Sequence, residues 1–334
     1  MTEHEPPPMN PLPWQSDVWA HFTQARRNDR LPHALLLAGP QGIGKHALAN
    51  AMAALLLCEA ADAHIACGQC RGCRLRAAGS HPDGRWLSPE EGGSGILRIE
   101  AIRELSEFSQ RTSQFNAYRV AVVAPAEAMN RAAANALLKT LEEPPAGMCL
   151  ILVSHQPARL PATVRSRCQT YRLGIPPRAR ARAWLEEMGS GQAERLLDLC
   201  GGAPLLATRL AEADALDAYL SLAGDLADVV SGRANPVTRA QAWQASGAAQ
   251  LTTMMQRLVL QVARAQAVGR DDEVAPAITT LAQRIPATTL HALNARLLRL
   301  QAAAEQPLSK ELSVEALFLL WRKPKAIQEV PESL

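Results

Sequence analysis

Aromatic residues are scarce in this 334-residue sequence, and it has neither long apolar runs nor a strong excess of one charge. Phe, Trp and Tyr make up 4% of the chain, against 48% hydrophobic residues. Abundant Ala, Leu and Arg therefore predict many helices packed through small aliphatic side chains. The formal charge of +3 is too small for a protein that coats DNA through a polybasic surface. The length suggests two or three domains, at roughly 150 residues each.

No segment has the roughly 18–20 consecutive apolar residues that cross a membrane, so we expect no membrane contact. Residues 1–13 are polar and rich in proline. They lack the basic start and apolar core of a secretory signal, which leads us to expect a cytoplasmic protein. In that reducing compartment, clustered cysteines favour a metal site over disulfides.

Four of the seven cysteines lie close together, with the spacing Cys-x8-Cys-x2-Cys-x2-Cys; they are Cys58, Cys67, Cys70 and Cys73. Four thiolates suit tetrahedral Zn²⁺, with Zn–S bonds of about 2.3 Å, and a closed sulfur shell predicts a structural metal. An iron–sulfur cluster is the alternative, although the Cys-Pro of the ferredoxin motif is absent. Four unpaired buried thiols are the remaining interpretation.

Strand and helix patterns alternate over the first half of the chain, which predicts an α/β domain with a parallel sheet covered on both faces. Strands are predicted at 33–38, 97–99, 119–124 and 148–153, a loop at 79–95, and helices at 14–27, 45–57, 102–108 and 131–143. Beyond Tyr171 every pattern is helical, most clearly at 251–262, 290–300 and 312–321. We divide the chain into 1–172, with the cysteine insert 58–73, then 173–216 and 217–334.

A glycine-rich turn joins the first predicted strand to the helix that follows. Gly39, Gly42, Gly44 and Lys45 form the Gly-x4-Gly-Lys core of a P-loop, whose backbone N–H groups and lysine hold phosphate. The next residue is His46, where a Ser or Thr hydroxyl normally binds Mg²⁺.

The carboxylates that ATP hydrolysis needs are also missing. The predicted strand 119–124 ends at Ala124, which Pro125 follows, and Glu127 is displaced from the position of an acidic pair. Bound ATP would have neither a metal anchor nor a base. Three interpretations stay open: nucleotide binding without hydrolysis, a former site that binds no nucleotide, and an ordinary strand-to-helix turn.

Three features together resemble a known family. They are the segment 135–145 (NALLKTLEEPP), the four-cysteine insert, and Ser166-Arg167-Cys168. The chain resembles the delta-prime subunits of bacterial DNA polymerase III, within the clamp-loader AAA+ family, densely over its first ~175 residues. The resemblance implies a RecA-like AAA+ domain at 1–172, a helical lid at 173–216 and an all-α collar for oligomerisation at 217–334.

The resemblance also implies a role. The hydrolysing gamma/tau subunits have an intact P-loop, an Asp-Glu pair and a sensor arginine, where this chain has His46, Ala124-Pro125 and Pro204. It therefore implies a stator that does not hydrolyse ATP, although ATP or ADP could bind. Arg167 would be an arginine finger acting in trans, with Ser166 and Cys168 as its motif neighbours.

The implied partners are gamma/tau and delta in a heteropentamer, which loads the β sliding clamp onto primed DNA for the DNA-directed DNA polymerase, a nucleotidyltransferase. In the helix 131–143, the polar face of Asn135, Lys139 and Glu142 would lie near a subunit interface or the DNA.

Two other functions stay open from the residues themselves. A free-standing ATPase or nucleotide kinase would need Mg²⁺ ligands near His46 or Ala124, and the sequence offers none. A zinc-dependent DNA-binding module would use the arginines at 71, 74 and 76, but no helix with a His pair follows them.

Overall fold

A computed structural model describes residues 9–60, 64–90, 95–115, 118–211, 215–268, 275–303 and 310–322. Residues 1–8, which carry part of the sequence argument against a secretory signal, lie outside this part. The chain forms two compact units, Met1–Trp184 and Leu185–Leu334. The boundaries at 172 and 216 stay predictions.

The first unit is built on a parallel sheet of five strands in the order β2-β3-β4-β1-β5. The strands are β1 Ala34–Ala38, β2 Gly84–Leu87, β3 Arg119–Val123, β4 Met148–Ser154 and β5 Gln169–Arg172. Its helices are α1 Ser16–Arg27, α2 Lys45–Leu56, α3 Arg71–Ala77, α4 Ile99–Gln110, α5 Arg131–Glu142 and α6 Ala162–Arg165, and α7 Arg178–Glu187 crosses into the second unit. The predicted α/β domain with a parallel sheet is confirmed.

The three central strands are buried at every residue, because helices cover both faces of the sheet. Alternate side chains, such as Leu36, Val123 and Leu150, form one hydrophobic cluster with α4 and α5. Helix α2 contacts β1, β3 and β4 and contributes nothing to that cluster, so it lies on the opposite face. Continuous apolar runs are what such doubly covered strands require.

The edges of the sheet differ from the sequence prediction. The predicted loop 79–95 contains β2, whose middle residues Arg85 and Trp86 are exposed, and β5 was not predicted. The predicted strand 97–99 is wrong: Leu97 forms a single bridge to Met129, and α4 begins at Ile99. Edge strands pair on one side only and are half exposed, so they lack the apolar run that marks a central strand.

The second unit is helical throughout its described part. Its helices are α8 Ala193–Leu199, α9 Pro204–Ala211, α10 Ala215–Val230, α11 Pro236–Ala242, α12 Ala248–Val268, α13 Pro276–Arg284, α14 Ala287–Ala303 and α15 Lys310–Arg322. The predicted apolar face of α12 is buried, as are Phe318 and Trp321 of α15. No described helix combines the length and the apolar character that crossing a membrane demands.

Candidate phosphate loop, cysteine cluster and arginine

The glycine-rich turn lies between β1 and α2, as a phosphate-binding loop requires. Gly42 and Gly44 have positive φ angles of 80° and 86°, which glycine adopts without strain. A side chain at Gly39 would place its Cβ 2.0 Å from the carbonyl oxygen of Leu173. The backbone path of the loop therefore depends on its glycines.

The lysine of the loop is turned inward. Lys45 is 2% exposed, and its ammonium donates a hydrogen bond to the carbonyl oxygen of Pro40 in the same loop. Burial lowers the pKa of Lys45 to about 8, and the negative charge of Glu127 opposes this shift. The cation that would meet a phosphate is thus held by its own loop.

The segment before α1 packs on the end of the loop. The Trp14 indole N–H donates to the carbonyl oxygen of Ile43 at 3.0 Å, and the Gln15 amide donates to those of Ile43 (3.2 Å) and Gly44 (2.9 Å). A Cβ on Gly44 would meet Leu12 at 2.2 Å. Sequence reasoning placed Trp14 and Gln15 in the first helix and missed these contacts, because no local pattern records a contact with residues 28 or 29 positions away.

His46, at the position of the Mg²⁺-binding hydroxyl, is exposed. Its Nδ1 lies 3.3 Å from the side-chain nitrogen of Asn50, whose oxygen accepts a hydrogen bond from the Trp86 indole at 2.8 Å. These contacts link α2 to β2. An imidazole is a poor ligand for Mg²⁺, a hard cation that prefers oxygen.

Glu127 acts electrostatically on the loop, because its negative charge raises the pKa of Lys45 against the effect of burial. Its Oε1 accepts hydrogen bonds from the backbone N–H groups of His155 (2.8 Å) and Gln156 (3.1 Å). This carboxylate therefore joins the ends of β3 and β4. Ala124 and Pro125, where an acidic pair would stand, contribute no carboxylate.

The four predicted cysteine ligands come together where the segment after α2 meets the first turn of α3. All four Sγ atoms lie within 4.8 Å of one another, and the Cys67–Cys73 and Cys58–Cys70 pairs are 4.0 Å apart. Sulfur atoms bound to one tetrahedral Zn²⁺ are separated by about 3.8 Å, which follows from Zn–S bonds of about 2.3 Å. The cluster could hold a metal ion.

Backbone N–H groups aim at three of these sulfurs. The N–H of Cys67 donates to Cys58 Sγ (3.3 Å), that of Cys70 to Cys67 Sγ (3.4 Å) and that of Cys73 to Cys70 Sγ (3.3 Å). Hydrogen bonds from Gln69 and Cys70 lower the pKa of the exposed Cys67 thiol to about 6, whereas burial raises the pKa of Cys58 and Cys73. Donors directed at sulfur favour the thiolate, which is the metal-binding form.

Residues around the cluster fix its turns. The Glu59 carboxylate accepts the N–H of Gly72 at 2.6 Å, and a Cβ on Gly72 would lie 2.4 Å from the carbonyl oxygen of Leu57. Met9 packs against the cluster from the start of the described chain. The other three cysteines, Cys149, Cys168 and Cys200, are separate from the cluster, and burial raises the pKa of each.

Arg167 lies in the turn after α6, with its side chain 37% exposed. Its Nη2 lies 2.7 Å from the Glu142 carboxylate at the end of α5, and its Nη1 donates to the carbonyl oxygen of Thr163 at 3.0 Å. Ser166 Oγ also donates to Thr163 at 3.2 Å, and the Cys168 thiol donates to Val164 at 3.3 Å. Cys168 packs against the hydrophobic cluster and anchors the turn, whereas the side chain of Arg167 extends toward the surface.

Comparison with known proteins gives consistent matches for the first unit. A family model described as DNA polymerase III, delta subunit, matches residues 14–176. DNA polymerase III subunit delta′ of Pseudomonas aeruginosa is 45% identical over 202 residues, which cover 59% of this chain and 60% of that protein. The Escherichia coli K12 subunit of the same name is 38% identical over 218 residues, covering 64% and 65%. The matches thus span less than two thirds of these relatives' own length.

Among solved structures, a gamma subunit-related protein from Thermotoga maritima aligns with 91% of this chain and 99% of its own, at 15% identity and a TM-score of 0.45.

The burial of Lys45 predicts a pH-dependent stability. Its pKa is about 8 in the folded chain and about 10.4 in an unfolded one. The unfolded chain therefore binds more protons between these values, and this residue's contribution to the free energy of unfolding rises with pH across that window. Lys45→Met should be more stable relative to wild type at pH 7 than at pH 10, by on the order of 2 kcal/mol. Urea unfolding at both pH values measures the difference.

The matched control is Lys139→Met, which removes an exposed lysine of α5 and should leave the pH profile unchanged. Parallel profiles for wild type and Lys45→Met would contradict the burial of a charged group at this position.

Proposed function

We propose that this chain, whose residues 14–176 match the DNA polymerase III delta-subunit family model and resemble delta′ subunits, is a clamp-loader subunit of the delta′ type that hydrolyses no ATP itself. In this proposal Arg167 completes the ATP site of a neighbouring subunit. The observation that supports this proposal is the difference in exposure between Lys45 and Arg167. Lys45 is 2% exposed and bonded to its own loop, whereas the Arg167 side chain is 37% exposed at the end of a turn.

The chain's own loop is poorly equipped to split ATP. His46 replaces the Mg²⁺-binding hydroxyl, and Glu127, whose charge acts on Lys45, uses Oε1 to accept two backbone hydrogen bonds. Phosphoryl transfer needs a metal to neutralise developing charge and a group to orient the attacking water. ATP or ADP bound here would stay intact.

Arginine suits a role at another subunit's triphosphate. Its planar guanidinium meets phosphate oxygens in a bidentate manner and stays charged at any physiological pH. Placed beside a γ-phosphate, it stabilises the negative charge that spreads over the oxygens in the transition state. Ser166 and Cys168 contribute by holding the turn from which Arg167 projects.

The proposed partners are gamma/tau and delta, assembled with this chain as a cytoplasmic heteropentamer that places the β sliding clamp on primed DNA. Residues 1–172 would be the AAA+ domain of this subunit. Residues 173–216 would be its lid, and 217–334 its share of the oligomerising collar. The complex would serve the DNA-directed DNA polymerase holoenzyme during replication.

The metal that fits the cysteine cluster best is Zn²⁺, in a structural role. Four sulfur ligands at these separations match its tetrahedral shell and leave no open position for substrate. Bound zinc would pin the segment between α2 and α3 to the sheet domain.

Arg167→Ala tests the proposed function. In a complex reconstituted with gamma/tau and delta, the ATPase rate stimulated by the β clamp and primed DNA should fall roughly tenfold or more, because an arginine finger contributes about 10³–10⁵ at the site it completes. Thermal unfolding of the isolated variant should match wild type, since the side chain is exposed.

The control is Arg165→Ala, which removes an arginine two positions away whose guanidinium donates to Pro157. It should leave the rate near wild type. An unchanged rate with Arg167→Ala would refute the finger, and ATP turnover by the isolated chain would refute the non-hydrolysing role.

Cys70→Ser tests the zinc site. The wild-type chain should carry one zinc ion, measured by elemental analysis, and the variant should lose it. Structural zinc contributes directly to folding, so the first unit should unfold at a lower temperature. Cys200→Ser, outside the cluster, should keep its zinc. A wild-type chain with iron or with no metal would contradict this assignment.

A further inference from the structure

The Arg167–Glu142 ion pair has a geometry that neither residue's place in the sequence reveals, and it deepens the proposed function. We propose that Glu142 is a positioning residue, which fixes the direction of the Arg167 guanidinium before a neighbouring subunit arrives. The inference rests on Arg167 acting as the finger described above.

Two anchors define the plane of the guanidinium. Nη2 meets the Glu142 carboxylate at 2.7 Å, and Nη1 meets the Thr163 carbonyl at 3.0 Å. An arginine offers five N–H donors in one plane, so these contacts orient the group and leave about three donors for a phosphate. Glu142 thereby acts on the finger without approaching the proposed substrate.

Both anchors are attached to the core of the first unit. Glu142 is the last residue of α5, whose Leu137 and Leu141 are buried in the cluster that covers the sheet. Thr163 lies in α6 beside Val164, which is buried in the same cluster. Because both anchors belong to helices that pack on the sheet, the guanidinium is held in a fixed direction relative to the sheet.

The pair is too exposed to serve mainly in folding. The side chains of Arg167 and Glu142 are 37% and 50% exposed, and ion pairs at such positions contribute little to stability. A flexible arginine loses its rotamer freedom when it docks on a partner. Ordering it in advance removes part of that cost from the catalytic step.

A negative charge beside the finger has an opposite effect as well. The Glu142 carboxylate partly neutralises the guanidinium and so weakens its attraction to a triphosphate. The two effects make different predictions for two variants. Glu142→Ala removes both the acceptor and the charge, whereas Glu142→Gln removes the charge and keeps a side-chain oxygen that can accept the same hydrogen bond.

The experiment measures kcat and KM for ATP in the complex with gamma/tau, delta, β clamp and primed DNA. If Glu142 positions the finger, Glu142→Ala should lower kcat roughly three- to tenfold with little change in KM, because the loss falls on the transition state. Glu142→Gln should stay within about twofold of wild type, rescued by its remaining acceptor. Glu143→Ala, which removes the neighbouring exposed carboxylate of the same helix end, should match wild type, and gel filtration should recover the complex with every variant.

Arg167→Ala and the double variant with Glu142→Ala separate the possible failures. The double variant should lose no more activity than Arg167→Ala, because Glu142 acts through Arg167. Additive losses, an unchanged kcat with Glu142→Ala, or faster turnover with both Glu142 variants would each overturn the positioning role while leaving the finger in place. An unchanged rate with Arg167→Ala would instead overturn the proposed function.

Discussion

The constraint on which this structure depends is a parallel sheet whose three central strands are buried on both faces, so that these strands present polar groups at their ends. The glycine loop follows β1, Glu127 follows β3, and His155 and Gln156 follow β4. Glu127 joins the ends of β3 and β4 by accepting hydrogen bonds from the backbone N–H groups of His155 and Gln156. Its negative charge also raises the pKa of Lys45. The carboxyl ends of these strands thus lie where an ATPase would place its catalytic groups, and here Lys45 and Glu127 Oε1 are each hydrogen-bonded to backbone groups.

These surroundings distinguish Lys45 from Arg167. Lys45 is surrounded by the core and by its own loop, so charging it carries a desolvation cost that lowers its pKa. Arg167 rests on the surface in contacts that a surface arginine can give up or share. In the proposed function, the loop that binds phosphate in an active ATPase has a structural role in this chain, and the exposed Arg167 acts at a neighbouring subunit.

Sequence patterns predicted the parts of the fold whose environment is uniform. The central strands β1, β3 and β4 are buried on both faces and read as unbroken apolar runs, and the repeated spacing on α12 marks its buried face. The edge strand β2 carries exposed Arg85 and Trp86 within a stretch of Gly, Pro and Ser, so no apolar pattern distinguishes it from a loop.

The candidate sites divide in the same way. The cysteine cluster was predictable because its ligands are neighbours in sequence and their chemistry is unusual. The contacts of Gln15 with Gly44 and of Arg167 with Glu142 join residues 29 and 25 positions apart. No local sequence pattern marks either pair. Such contacts follow from how helices pack on the sheet, and only the folded chain reveals them.

The position of Glu142 at the end of α5 links these observations. The helix must pack its apolar face on the sheet, and this packing leaves Asn135, Lys139 and Glu142 exposed on the other side. A carboxylate at the carboxyl end of a helix is unfavourable next to the helix dipole, so an adjacent cation relieves a cost that the fold itself imposes. Arg167 supplies that cation from the turn after α6. The ion pair that offsets the unfavourable charge at the end of α5 is also the contact proposed to orient the guanidinium. Local electrostatics and the proposed catalytic geometry therefore have a common physical origin.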